Sequence, residues 1–179
     1  MSDYSISIVP KQSSYPNNKQ KAKEILDWLV SKDIVKPTLS DCILSSNNGY
    51  AISEGARQIA FSSDDLPYDL ITNGLEIITE RQVFDTGENG MDECICQNCN
   101  ENIAFDDWDL NPWNNKESDN LTCPQCGNET DINNYTFEPE WGFSNLGFTF
   151  WNWSDFSDDF IDEFKKKLNC EISIVNQHI

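Results

Sequence analysis

Two cysteine pairs carry the chemistry most directly readable in this sequence: Cys96-Gln-Asn-Cys99 and Cys123-Pro-Gln-Cys126. Thiolates separated by two residues can turn back onto one ion, and two such pairs complete the tetrahedron of soft ligands that zinc prefers. Asn100 and Gly127 follow the second cysteine of each pair, and both residue types tolerate the turn required there. The 23 residues between the pairs are enough for a hairpin or a longer excursion. Cys94-x-Cys96-x-x-Cys99 offers three sulfurs for two places. Turn geometry favours Cys96 and Cys99, with Cys94 as the alternative to Cys96. Four thiolates leave no open position for water or substrate, so one structural Zn²⁺ is expected. Cys42 and Cys170 read as buried spares.

Other chemistry is hard to place. The one histidine, His178, is penultimate, where a frayed or strand-end residue is the ordinary reading. None of the eight glycines belongs to a G-x-G-x-x-G or Gly-Lys-Ser/Thr phosphate loop, so nucleotide chemistry has no support. Asp106-Asp107-Trp-Asp109 and Glu138-Pro-Glu140 could act as acid and base or hold Mg²⁺ or Ca²⁺. They match no metal-loop spacing, and a solvated acidic face is the plainer reading. A non-enzyme is expected, with a carboxylate- or metal-dependent enzyme as an alternative.

The formal net charge of -19 is concentrated. Between Gln82 and Glu163 there are 19 acidic residues and one basic residue, Lys116. Such a surface repels phosphate backbones and attracts basic partners, so direct nucleic-acid binding is not expected. Five of the six tryptophans fall in the same stretch. Aromatic anchors inside a charged rim suit a protein interface. The candidate partner-binding residues are Asp106, Asp107, Trp108, Asp109, Trp113, Glu138, Glu140 and Trp141, with Trp108 and Trp113 expected on the surface. Phe148, Phe150 and Trp151 read as core.

The elements that must hold these residues follow from periodicity. Alternation at Tyr4, Ile6 and Ile8 predicts a strand ending before Pro10. Ala22, Ile25, Leu26 and Leu29 form one stripe of a helix over 19–32. Asn47-Asn-Gly49 predicts a hairpin turn between Ile43-Leu44 and Tyr50-Ala-Ile52. A short helix or irregular connection around 55–60 and one long strand over 75–84 come next. Leu146, Phe148 and Phe150 alternate as a strand. Phe156, Phe160, Phe164 and Leu168 stripe a second helix, with acids in its first turn and lysines in its last. A strand over 171–176 follows. The expected fold is α+β: a mixed or antiparallel sheet with two covering helices and an inserted zinc-ribbon module. Residues 1–90 and 140–179 would form the core domain and 91–139 the insert.

Asp107-Trp-Asp-Leu-Asn-Pro-Trp113, the two cysteine pairs and Trp141-Gly-Phe-Ser-Asn-Leu-Gly-Phe-Thr-Phe-Trp-Asn-Trp153 resemble a family of small, uncharacterised bacterial zinc-ribbon proteins. The likeness runs over nearly the full length. Some members carry a transporter-ATPase label, which the lack of a phosphate loop here does not support. The resemblance implies a bacterial, cytosolic protein. A cytoplasmic location is also expected because the N-terminus lacks the basic-then-apolar layout of a signal peptide and no apolar run is long enough to span a membrane. Together these readings suggest a protein-binding module, most concretely an immunity protein or inhibitor of a basic toxin. An acidic decoy imitating nucleic acid is the alternative. Oligomeric state is left open.

Overall fold

Alternation in the first strand assigns its two faces to two different cores. In the computed structural model, which describes residues 2–179, β1 runs Tyr4–Pro10. Ile6 and Ile8 enter the main hydrophobic cluster, whereas Val9 joins a second cluster with Phe84 and Val175. Helix α1 (Asn18–Ser31) follows, then β2 (Val35–Ser40), β3 (Gly49–Ile52), β4 (Leu75–Ile78) and β5 (Gln82–Phe84). Next come β6 (Glu93–Ile95), α2 (Asn111–Asn114), β7 (Asn120–Thr122), β8 (Glu129–Asp131) and β9 (Thr136–Glu138). The chain continues through β10 (Gly142–Ser144), β11 (Gly147–Trp151), α3 (Asp158–Leu168) and β12 (Ile172–His178).

Six strands make one antiparallel sheet in the order β12-β1-β11-β4-β3-β2. Three two-stranded ribbons, β5 with β10, β6 with β9 and β7 with β8, complete the β structure. The fold is thus α+β with an antiparallel sheet. Helices α1 and α3 cover one face, burying Ile25, Trp28 and Leu29 from the first and Phe160, Phe164 and Leu168 from the second. Aromatic contacts tie the layers: the Trp28 ring lies 5.7 Å from Phe160, and Phe148 of the sheet meets Phe164 edge-on at 5.1 Å. The α3 ends are set by local chemistry. Ser157 Oγ accepts from the Phe160 N–H, and Asn169 closes the helix in the left-handed conformation.

Three sequence expectations change here. The first hairpin arm is β2, with Pro37 inside it, while Ile43 and Leu44 lie in the connecting loop. Proline removes a ladder donor, and it is accommodated because β2 is an edge strand whose register shifts between Val35 and Leu39. Pro10 likewise ends β1 from inside the strand. The long strand over 75–84 is two strands bent at Thr79–Arg81, with β4 in the main sheet and β5 in a ribbon. Apolar alternation reads through that bend because both halves are extended.

Over the helix-free side of the sheet, the β5–β10 ribbon lies between two cores. Phe84 packs with Val9 and Val175 of the sheet, whereas Val83 and Phe143 turn outward into a separate cluster around the cysteines. Gly142 lets the ribbon approach closely, since a Cβ there would come within 3.0 Å of the Val9 side chain.

Phe164→Ala should cost about 3–5 kcal/mol of unfolding free energy, and Ser157→Ala about 1 kcal/mol. Phe61→Ala, at an 83% exposed position, should cost under about 0.5 kcal/mol. Urea titration followed by tryptophan fluorescence would test this ranking.

Candidate metal centre

Each cysteine pair sits on the same backbone device. After β6, the Cys96 carbonyl accepts from Asn100 N–H at 2.8 Å, and Cys96 N–H donates to the Glu101 carbonyl at 3.1 Å. Between β7 and β8, the Cys123 carbonyl accepts from Gly127 N–H and Cys123 N–H donates to the Asn128 carbonyl, both at 2.9 Å. Asn100 and Gly127 both take positive φ, at 61° and 74°. The turn-tolerant residues expected from sequence therefore occupy the positions that need them. Each turn is closed at its base, by the Ile95–Asn102 bridge in the first and the β7–β8 pair in the second.

These turns bring Cys96, Cys99, Cys123 and Cys126 together, with all four Sγ atoms within 4.8 Å of one another. Cys96 and Cys126 Sγ are 3.8 Å apart, and Cys99 and Cys123 Sγ are 3.9 Å apart. A tetrahedron with metal–sulfur bonds of about 2.3 Å has sulfur–sulfur edges of about 3.8 Å, so the set suits one thiolate-bound ion. Cys94 lies outside this group. Its side chain is fully buried in the module core, and burial, then the neighbouring Cys123 and Cys96 sulfurs, push its thiol up to about 12. The ambiguity left by its spacing is resolved by strand geometry: Cys94 is within β6, opposite Phe137, whereas Cys96 follows the strand end.

Without an ion, two of the clustered thiols differ in their hold on protons. At Cys126, the Asn98 amide and then the Asn128 N–H pull the thiol down to about 6. At Cys99, the Glu101 N–H pulls down, but burial and hydrogen bonds among the sulfurs outweigh it and the thiol rises to about 12.

The acidic and aromatic residues expected at an interface occupy unlike environments. Asp106 accepts from Gln125 Nε2 at 2.7 Å, which ties its loop to the second cysteine turn. Asp107 is exposed, Trp108 is half-buried against the module core, and Asp109 Oδ1 accepts from Asn111 N–H at the start of α2. Glu138 is exposed at the end of β9. Glu140 pairs with Lys11 at 3.4 Å and accepts from Ser173 Oγ, and half-buried Trp141 donates to the Gly90 carbonyl.

Trp113 departs from expectation. It is 1% exposed, so it presents no anchor to solvent. Its indole N–H donates to Ser13 Oγ at 2.9 Å, Phe143 meets it edge-on at 5.7 Å, and the Arg81 guanidinium stacks 4.3 Å over its ring. A module this small uses its largest ring as core. The exposed aromatic between the cysteine pairs is Phe105, 84% accessible and adjacent to Asp106, which the sequence reading passed over in favour of tryptophans. Its signal was position: it directly precedes the Asp106–Asp109 acidic run.

No protein-family model, curated protein or solved structure matches the chain. Among the described residues no helix is long and apolar enough to cross a membrane.

The purified chain is expected to carry one thiophilic divalent ion, measured by elemental analysis. Cys99→Ser should lose it and Cys94→Ser should keep full stoichiometry. Acidification should release it as the thiolates take up protons.

Proposed function

We propose that this chain is a non-catalytic, cytosolic protein-binding module whose four thiolates hold a structural zinc in a zinc-ribbon arrangement. Its acidic, aromatic surface would take a basic protein partner. The most concrete form is an immunity protein or inhibitor that neutralises a basic toxin. Zinc is the metal assigned because four cysteine ligands at these spacings suit its tetrahedral preference and close the coordination shell.

The observation that carries this reading is an exposed aromatic on a tied loop in a field of one sign. Phe105 projects beside Asp106, Asp107 and Asp109 from a segment in which 19 acidic residues face one lysine. Its loop is held through the next residue: Asp106 N–H donates to the Ile103 carbonyl, and the Asp106 carboxylate accepts from Gln125. A loop held in place loses little backbone freedom on binding, and the surrounding charge speeds encounter with a cationic partner. Trp108, Glu138, Glu140 and Trp141 belong to the same proposed surface, whereas the buried Trp113 drops out of it. The charge concentration also favours a second reading, an acidic decoy occupying the site of a DNA- or RNA-binding protein.

Tagged capture from cells that make the protein, eluted with rising salt, should release a basic protein late. Reversing Asp106, Asp107 and Asp109 to lysine should slow its association at least about tenfold at low salt, with the difference shrinking at high salt. Phe105→Ala should cost about 1–2 kcal/mol of affinity. Binding indifferent to all four changes would remove this surface from the reading, and competition by DNA would select the decoy.

A further inference from the structure

We infer that Asn98 is a positioning residue that holds the Cys126 thiolate from across the metal centre, and that the centre exchanges its ion at Cys126. This rests on the reading of the four cysteines as a metal site and does not depend on the partner.

Asn98 belongs to the first cysteine turn, yet its Nδ2 lies 3.4 Å from Cys126 Sγ in the second. The contact crosses the centre and links the two turns. The other turn amides are engaged elsewhere: Gln97 donates to Thr136 Oγ1 at 2.8 Å, and Gln125, the positional equivalent of Asn98, donates to Asp106. The sulfurs are also unequally shielded. Cys96 and Cys123 are buried, Cys99 is half-buried, and Cys126 is exposed. A donor arriving from solvent therefore meets Cys126 first.

An N–H···S bond withdraws electron density from a metal-bound thiolate and occupies a lone pair that a proton or electrophile would otherwise take. The effect matters here because four thiolates and one dication leave a charge of -2 inside an already acidic segment. A neutral amide can quiet that sulfur, where a second carboxylate would repel it. With an ion held by Cys96, Cys99, Cys123 and Cys126, the exposed Cys126 would be the ligand that an incoming thiolate or chelator donor displaces, and its released sulfur would take up a proton. No atom changes oxidation state. By occupying that lone pair, Asn98 would oppose the protonation that lets the sulfur leave, so its loss should speed proton-assisted exchange.

The test loads full-length protein with Co²⁺ and compares wild type, Asn98→Ala and the control Gln97→Ala. Asn98→Ala should shift the thiolate-to-cobalt charge-transfer band to longer wavelength and speed cobalt loss to excess EDTA about fivefold or more. Gln97→Ala should change neither. Limited iodoacetamide treatment of the loaded protein, read by peptide mass spectrometry, should place the first label among the four clustered cysteines on Cys126, and faster in the variant, with the half-buried non-ligand Cys170 scored separately. If Asn98→Ala does not fold, Asn98→Asp keeps the size, removes the donor and should move both readouts in the same direction. Equal effects from positions 97 and 98, or first labelling at Cys99, would overturn the inference while leaving the metal reading intact. A chain that takes up no Co²⁺ would remove both.

Discussion

The ribbon of β5 and β10 must satisfy two hydrophobic surfaces at once, and the rest of the molecule is arranged around that demand. Extended chain sends successive side chains to opposite faces, so Val83 and Phe84 serve different cores although they are neighbours. Phe143 likewise leaves the sheet side and fills the module, while Gly142 clears space for Val9. The cysteine module thereby gains apolar contacts that its short strands could not supply, and the helix-free face of the sheet gains a cover.

Polar contacts set the angle of that junction. Ser13, buried just past β1, accepts from the Trp113 indole and from Asn133 Nδ2. Asn133 also reaches the Phe143 carbonyl. Arg81, with only 6% of its side chain exposed, pairs with Asp119 and lies over the Trp113 ring. A cation so shielded requires its carboxylate, because an unpaired charge at that depth would be costly. Trp113 is therefore the joint between sheet and module, and this explains why a ring within an acidic loop is turned away from solvent.

The four-cysteine cluster stands at the far end of this chain of constraints. Paired turns set the four sulfurs, and the same second turn holds the Asp106 loop through Gln125. Geometry at the cysteines and geometry at Phe105 are thus coupled by one amide–carboxylate bond. If the four cysteines hold a divalent ion, the acidic segment carries a centre whose thiolates outnumber the ion's charge, which would favour neutral donors such as the Asn98 amide and the backbone N–H groups.

The sequence by itself determined the elements whose signals are local. The α3 stripe and its charged ends, the α1 stripe and the turn residues Asn100 and Gly127 needed no distant partner to be read, since helix periodicity and positive φ are properties of a few adjacent residues. The four clustered cysteines were legible for the same reason. Tertiary structure decided the rest. Whether 75–84 is one strand or two depends on where β10 and Asp119 lie, far along the chain. Pro37 enters a strand because β2 falls at the sheet edge, a fact of strand order. Cys94 and Cys96 differ only two residues apart, because one remains within the β6–β9 pair and the other follows it. Trp113 is buried against expectation, and Phe105, to which the sequence assigned no role, is exposed, because burial is settled by what packs against a ring. Composition places both aromatics in the acidic region, but only the long-range contacts of Ser13, Arg81 and Phe143 show which of them has a core to enter.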